Sequence, residues 1–348
     1  MKWKILSGAV CAAIAFGTIA AFAQANEDSV ATAQKKYPLA APAGVDNHAI
    51  DEAPPGAVNQ GRFDDTKWKY GHAWDPPPGA KIWNPVKLKM MMGRKVTGGT
   101  LFKAHDPATY CAMANAGYDY IWTEMQHDAH NWQDVQDMWA ACPYAKAVPG
   151  VRVAYTDERE EQHALDAGAL VLVVPTVRSY AEAIKARDWA YFPPIGKRSN
   201  GGGQAFAMYN KVPGGYRNTI NNNLVLVLMI ETLDGLRDAD RIAKIPGVTA
   251  IFAASGDLGN FGGYKQGDPD YEREINIVHN AALKAGVRLC GPFAWVDRPD
   301  FTCFQNGSED RLLALGNGSI DRGAKVELGV LANTQPVPEV GPWARPSK

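Results

Sequence analysis

From Val96 onward, short apolar runs alternate eight times with longer stretches whose apolar residues recur at helical spacing. "GGTLF" precedes "DPATYCAMANAG", "YDYIWTE" precedes "NWQDVQDMWAAC", "GVRVA" precedes "DEREEQHALDAG" and "LVLVVPTV" precedes "SYAEAIKARDW". The second half continues with "LVLVLMIE" before "LDGLRDADRIAKI", "VTAIFAAS" before "PDYEREINIVHNAALKAG", "VRLCGPF" before "RPDFTCFQNG" and "RLLALG" before "IDRGAKVELGVLA". Several helical stretches close in Ala-Gly or Asn-Gly, where a glycine can take the left-handed turn that ends a helix. Runs such as "LVLVLMI" show no polar alternation, so they read as strands buried on both faces, as in a parallel sheet. Eight such units predict an α/β chain folded as a (β/α)8 TIM barrel, which suits them better than a doubly wound sheet. Neither a G-x-G-x-x-G turn nor a P-loop follows the first strand, which weakens a nucleotide-binding reading.

The barrel is expected over residues 96–348. Residues 1–25 read as an export signal: Lys2 and Lys4 lead an apolar stretch that ends in Ala23-Gln24-Ala25, a small-x-small cleavage pattern. The stretch is nearly long enough to span a bilayer, and the competing reading is an uncleaved anchor. The cleavage pattern favours export, to a periplasm or beyond, with no stable membrane insertion afterwards. Residues 26–95, rich in Pro, Ala, Gly and Asp, are expected to form an irregular arm anchored by Trp68, Tyr70, Trp74 and Trp83. The net charge is -1 and no long basic run stands out, so nucleic acid is not expected as a partner. Four cysteines follow the signal. In an oxidising compartment Cys111–Cys142 and Cys290–Cys303 are the favoured pairings because each joins neighbouring elements; four buried thiols are the alternative.

Chemistry in such barrels sits at the C-terminal ends of the strands. The polar residues there are Glu124 and His127 after "YDYIW", Arg152 in "GVRVA", Glu231 closing "LVLVLMIE" and Asp257 after "IFAAS". Two carboxylates from consecutive strands, with few nitrogen or sulfur neighbours, suit a hard divalent cation such as Mg2+ or Mn2+, with Co2+ as a further candidate. Pairing with an arginine, or capping of the following helix, is the competing use of each acid.

"GYDYIWTEMQHDAHN", "PGVRVAY", "LDAGALVLVVPTV", "YFPPIGKRSNGGG", "LVLVLMIET" and "GVTAIFAASGDLGNFGGY" stand in an order and spacing that resembles the HpcH/HpaI aldolase family, over roughly residues 96–332. The resemblance implies class II pyruvate aldolase chemistry, a carbon–carbon lyase acting next to a 2-oxo acid unit through a metal-stabilised enolate. It implies a homo-oligomer, a trimer or hexamer. It also implies metal ligands at Glu231 and Asp257, a catalytic His127 and an enolate-stabilising Arg152. A turn at Ala254, Ser255 and Gly256 would offer backbone N–H groups to the substrate carboxylate. Asp166 matches an acid that a neighbouring subunit supplies in some members. Lys197 and Arg198 resemble the family's arginine-bearing loop and are expected to meet an anionic substrate tail, unless the loop is merely solvated. Glu124 is expected to orient His127, which would take the proton from a substrate hydroxyl.

The chain departs from that family around the site. "EMQH", Glu124 to His127, replaces the usual "DGEH"; Met229 replaces a polar Gln two residues before Glu231; and "SGD" replaces "PAD" at the turn. Altered neighbours retune ligands and bound water, so decarboxylation of a 2-oxo acid is the alternative reaction. A non-catalytic periplasmic binding protein is the alternative outside enzymology. His130 reads as a cap or surface residue more readily than as a ligand. His105 could line the pocket or sit on a surface loop.

Overall fold

The computed structural model of the protein describes residues 79–309. The export signal, the anchors Trp68, Tyr70 and Trp74, and the expected final strand "RLLALG" and helix "IDRGAKVELGVLA" lie outside those residues. The described chain closes a parallel barrel in the order β1 to β8, with β1 returning to β8. The strands are β1 (Val96–Leu101), β2 (Tyr120–Glu124), β3 (Val148–Arg152), β4 (Val171–Val174), β5 (Val225–Ile230), β6 (Ala250–Ala253), β7 (Arg288–Pro292) and β8 (Phe301–Ser308). Among the described residues no helix is long and apolar enough to cross a membrane.

The helices are α1 (Pro85–Met91), α2 (Pro107–Asn115), α3 (Trp132–Ala141), α4 (Glu158–Ala167), α5 (Tyr180–Ala190), α6 (Gly203–Met208), α7 (Tyr216–Asn223), α8 (Leu233–Ala243), α9 (Ser255–Gly262) and α10 (Pro269–Ala285). Most of those that leave a strand end start at a side-chain cap. Asp106, Asn131, Asp157, Ser179 and Thr232 accept backbone N–H groups of α2, α3, α4, α5 and α8. Gly168 and Gly286 end α4 and α10 at φ 117° and 71°. In α8, Leu236, Ala239, Ile242 and Ala243 are buried at helical spacing against the barrel.

Strand periodicity decides what fills the barrel. Alternate residues of a strand share a face, so Tyr120, Trp122 and Glu124 stack from bottom to top inside. Trp122 meets Phe252 edge-on at 5.6 Å between centroids. Gly150 stands beside Trp122 in the register. A Cβ at Gly98 would lie 2.3 Å from the Tyr120 ring, so only glycine leaves room for that ring. The interior is therefore apolar up to the level of Glu124, Arg152 and Met229, where it turns polar.

Two expectations are corrected. The arm was read as irregular to residue 95, yet Pro85–Met91 is helical, with Asn84 as its cap and Pro85 at the first turn. This segment closes the bottom of the barrel. The Asn223 side chain accepts from the N–H groups of Trp83 and Asn84, and the Trp83 indole donates to Thr219 at 2.8 Å. Second, "RPDFTCFQNG" was read as a helix, but it contains β8, and the β7–β8 crossover holds only a 3-10 turn, Phe293–Trp295. Phe301, Cys303 and Phe304 are buried on the barrel, and the terminal Asn-Gly belongs to a strand rather than a helix end. The two favoured cysteine pairings are present, Cys111 with Cys142 and Cys290 with Cys303.

Candidate active site

Four strand ends converge at the mouth. Glu124 ends β2 and pairs in register with Arg152, which ends β3. The Arg152 Nε lies 3.0 and 2.7 Å from the two Glu124 oxygens, and Nη2 lies 2.6 Å from Oε2. The Trp122 indole donates to Glu124 Oε2 at 3.1 Å. The N–H groups of Gln126 and His127 donate to Oε1 at 2.8 and 3.1 Å. Glu124 is fully buried and fully satisfied, so its charge is compensated where an unpaired one would be costly. It was expected to orient the His127 imidazole. Instead it fixes the backbone of the loop that carries His127, while the His127 side chain stands exposed at the rim. Arg152 Nη1 faces the Met229 thioether at 4.0 Å, a weak acceptor in the place of a polar amide.

Glu231 follows β5 directly and is buried. One oxygen accepts the Thr176 N–H; the other, Oε2, is buried without a hydrogen-bond partner among the described residues. Burial pushes the Glu231 carboxyl above its usual range; the Thr176 hydrogen bonds pull it back, Asp257 raises it and Arg152 lowers it. Asp257 therefore stands within electrostatic reach of Glu231. It lies in the first turn of α9, whose N-terminus has no side-chain cap. The Ala254 N–H points at the Ile230 carbonyl at 3.4 Å, leaving Ser255 and Gly256 as donors of the turn. A Cβ on Gly256 would meet nothing within 4 Å, so the turn opens on free space. Uncapped N–H groups at a helix start favour an anion.

An orphaned buried carboxylate oxygen within electrostatic reach of a second carboxylate, which itself stands in the uncapped first turn of a helix, fits a hard divalent cation and an anionic ligand. Glu231 and Asp257 would hold the cation.

Thr176 was not anticipated. It has φ 53°, an outlier for a β-branched residue, and that conformation delivers its N–H to Glu231. Its hydroxyl accepts from Gln126 Nε2 at 3.3 Å, which links the β2 and β4 loops to the β5 acid. The only signal in the sequence was its place at the end of "LVLVVPT".

Arg198 and Asp166 are not brought to this mouth. Asp166 is near the C-terminal end of α4, and Arg198 follows α5, so both lie at the opposite end of the barrel. There they bind each other at 2.8 Å, with the Arg198 side chain buried over the Phe192 ring. The expectation that Arg198 meets substrate fails within one protomer because its charge is already spent on Asp166.

The profile of a family described as HpcH/HpaI aldolase/citrate lyase matches residues 100–315. A 2-dehydro-3,6-dideoxy-6-sulfogluconate aldolase of Pseudomonas putida is 30% identical over 197 residues, 56% of this chain and 77% of that protein. A hydroxypyruvate/pyruvate aldolase of Paraburkholderia phytofirmans is 30% identical over 220 residues, 61% of this chain and 83% of that protein. Among solved structures, an HpcH/HpaI aldolase from Desulfitobacterium hafniense superposes with a TM-score of 0.60 at 23% identity, covering 69% of this chain and 96% of that one.

Proposed function

This chain belongs to the HpcH/HpaI aldolase/citrate lyase family and is a carbon–carbon lyase, and from that premise we propose that it cleaves or forms the bond next to the pyruvate unit of a small anionic 2-oxo acid at the Glu231–Asp257 mouth. The buried, unpartnered Oε2 of Glu231 beside Asp257 carries this reading. A divalent cation held by these two acids, Mg2+, Mn2+ or Co2+, supplies a Lewis acid for the substrate's oxygens. The Ser255 and Gly256 N–H groups bind the substrate carboxylate at the positive end of α9. Arg152, immobilised by Glu124, presents Nη1 as a fixed positive charge where negative charge develops on the departing pyruvyl fragment. His127, on the loop held by Glu124, takes the proton from the C4 hydroxyl in cleavage and returns it in condensation. The apolar interior below Glu124 excludes water from beneath the site.

The export signal, periplasmic residence and a trimeric or hexameric assembly are part of the same proposal, resting on the N-terminal sequence and on the family. The purified protein is expected to release pyruvate from 4-hydroxy-2-oxo acids with Mg2+, Mn2+ or Co2+. Activity unchanged by EDTA or by Glu231→Ala would overturn the reading. Oxaloacetate decarboxylation without aldol cleavage would point to the alternative outcome, which the missing acid at Gln126 favours.

A further inference from the structure

Behind the mouth, a second group of ligating side chains joins the loops that follow β1 and β2. His105, Asp128 and His130 each offer one ligand atom, and the three atoms lie within 4.8 Å of one another. Asp128 Oδ2 is 3.5 Å from His105 Nε2 and 2.5 Å from His130 Nδ1. It is buried, and no well-aligned hydrogen bond reaches it among the described residues. The imidazoles stack at 4.1 Å between centroids.

The remaining nitrogens are held from behind. His105 Nδ1 lies 3.0 Å from Asp134 Oδ2, and His130 Nε2 lies 2.9 Å from the Ala104 carbonyl, while His130 Nδ1, which faces Asp128, also lies 3.0 Å from the Glu124 carbonyl and would exchange that contact for a metal ion. A carboxylate or carbonyl accepting the outer N–H of each imidazole is the arrangement that orients metal-binding histidines and fixes their tautomer. The His105 hydrogen bond also holds the Asp134 carboxyl below its usual range. The loop under His105 is anchored too. The Glu309 carboxylate, at the end of β8, accepts the N–H groups of Phe102, Lys103 and Ala104. The His130 side chain is fully buried, while that of His105 is 39% exposed, so the group opens to solvent on one side only.

We propose that His105, Asp128 and His130 form a second cation site, distinct from Glu231–Asp257, that takes a Zn2+-like transition-metal ion. Two imidazoles and one carboxylate suit such an ion better than Mg2+, whose preferred ligands are all oxygen. Ligands roughly 2 Å from a tetrahedral ion stand a little over 3 Å apart. The His105–Asp128 spacing meets that, and the closer His130–Asp128 pair must open by under an ångström. The fourth position faces solvent beyond His105. The ion would clamp the β1 loop to the loop that carries His127, and it neither needs nor alters the reaction proposed above.

The test is Zn2+ binding to the mature protein, by calorimetry and by metal content after dialysis, with Co2+ absorption as a geometric probe. The Glu231→Gln/Asp257→Asn double variant is expected to retain one Zn2+ equivalent and a tetrahedral Co2+ spectrum. His105→Ala, at a half-exposed position that leaves the fold intact, is expected to lose it. Asp134→Asn is expected to weaken binding by about 10–100-fold. A double variant that binds no Zn2+, or a His105→Ala protein that binds it like the parent, overturns the proposal and leaves a hydrogen-bonded His–Asp–His network.

Discussion

Glu231 shows how much one atom's surroundings decide. Without a cation, its carboxyl is raised by burial, so the sign of its pH effect is set: the stability it permits is complete below the ordinary value of 4.5 and is lost as pH rises through the raised one. In EDTA, the melting temperature of the parent should therefore fall relative to Glu231→Gln as pH rises through that window. Added Mg2+ or Mn2+ should reverse the difference, with affinity growing as the proton leaves. Arg152 gives a second expectation. Arg152→Lys keeps the charge but loses the fork that grips Glu124, so kcat/KM should drop by roughly 100-fold, about 2.7 kcal/mol of lost transition-state stabilisation. At this scale the sequence was informative where a residue stood at a strand end, because strand ends of a barrel share one mouth. Thr176 escaped notice because its contribution is a backbone N–H in an unusual conformation, which residue type does not reveal. Arg198 was ambiguous because its guanidinium reads the same whether it awaits a substrate or, as within this protomer, is bound to Asp166.

Among the elements, α4 carries an unrequited charge. Glu161 is fully buried, neither of its oxygens has a hydrogen-bond partner among the described residues, and burial, with Asp157 and Glu158 nearby, pushes its carboxyl well above the usual range. Replacing a buried unpaired acid by an apolar helix former removes a cost. Glu161→Met should raise the melting temperature at neutral pH by about 2–4 °C for each ~1 kcal/mol gained, and the gain should shrink as pH falls from the raised value toward 4.5 and vanish below it. Strands β1 to β7 and the helices α2, α3, α4, α5, α8 and α10 were legible because buried parallel strands are uninterrupted apolar runs and because caps and glycines punctuate those helices; the short α6, α7 and α9, which start without a side-chain cap, were not. The stretch around Phe301 was not. "RPDFTCFQNG" mixes aromatic, polar and glycine residues, and its pairing with β1 and β7 is a tertiary fact that no local pattern encodes.

The whole molecule divides its tasks between two ends. The upper rim holds the acids, Arg152 and the open start of α9. The lower end is sealed by Trp83, Asn84 and Asn223, and it also carries the Arg198–Asp166 pair. The barrel class was legible from the count and order of units; the lower closure was not, because it depends on Asn223 meeting residues 140 positions earlier. The short β7–β8 crossover has a consequence in time rather than space. Leu289 pairs with Phe301 and Cys290 with Cys303, whereas β1 must find β8 across the breadth of the chain, Val96 against Cys303. Closing a short loop costs less entropy than closing a long one, so β7–β8 should form early and β1–β8 last. Phe301→Leu should then slow refolding, while Val96→Ala should mainly hasten unfolding, both measured from the two limbs of a denaturant chevron. The place where the helical jacket is thinnest would thus be where the barrel begins to assemble.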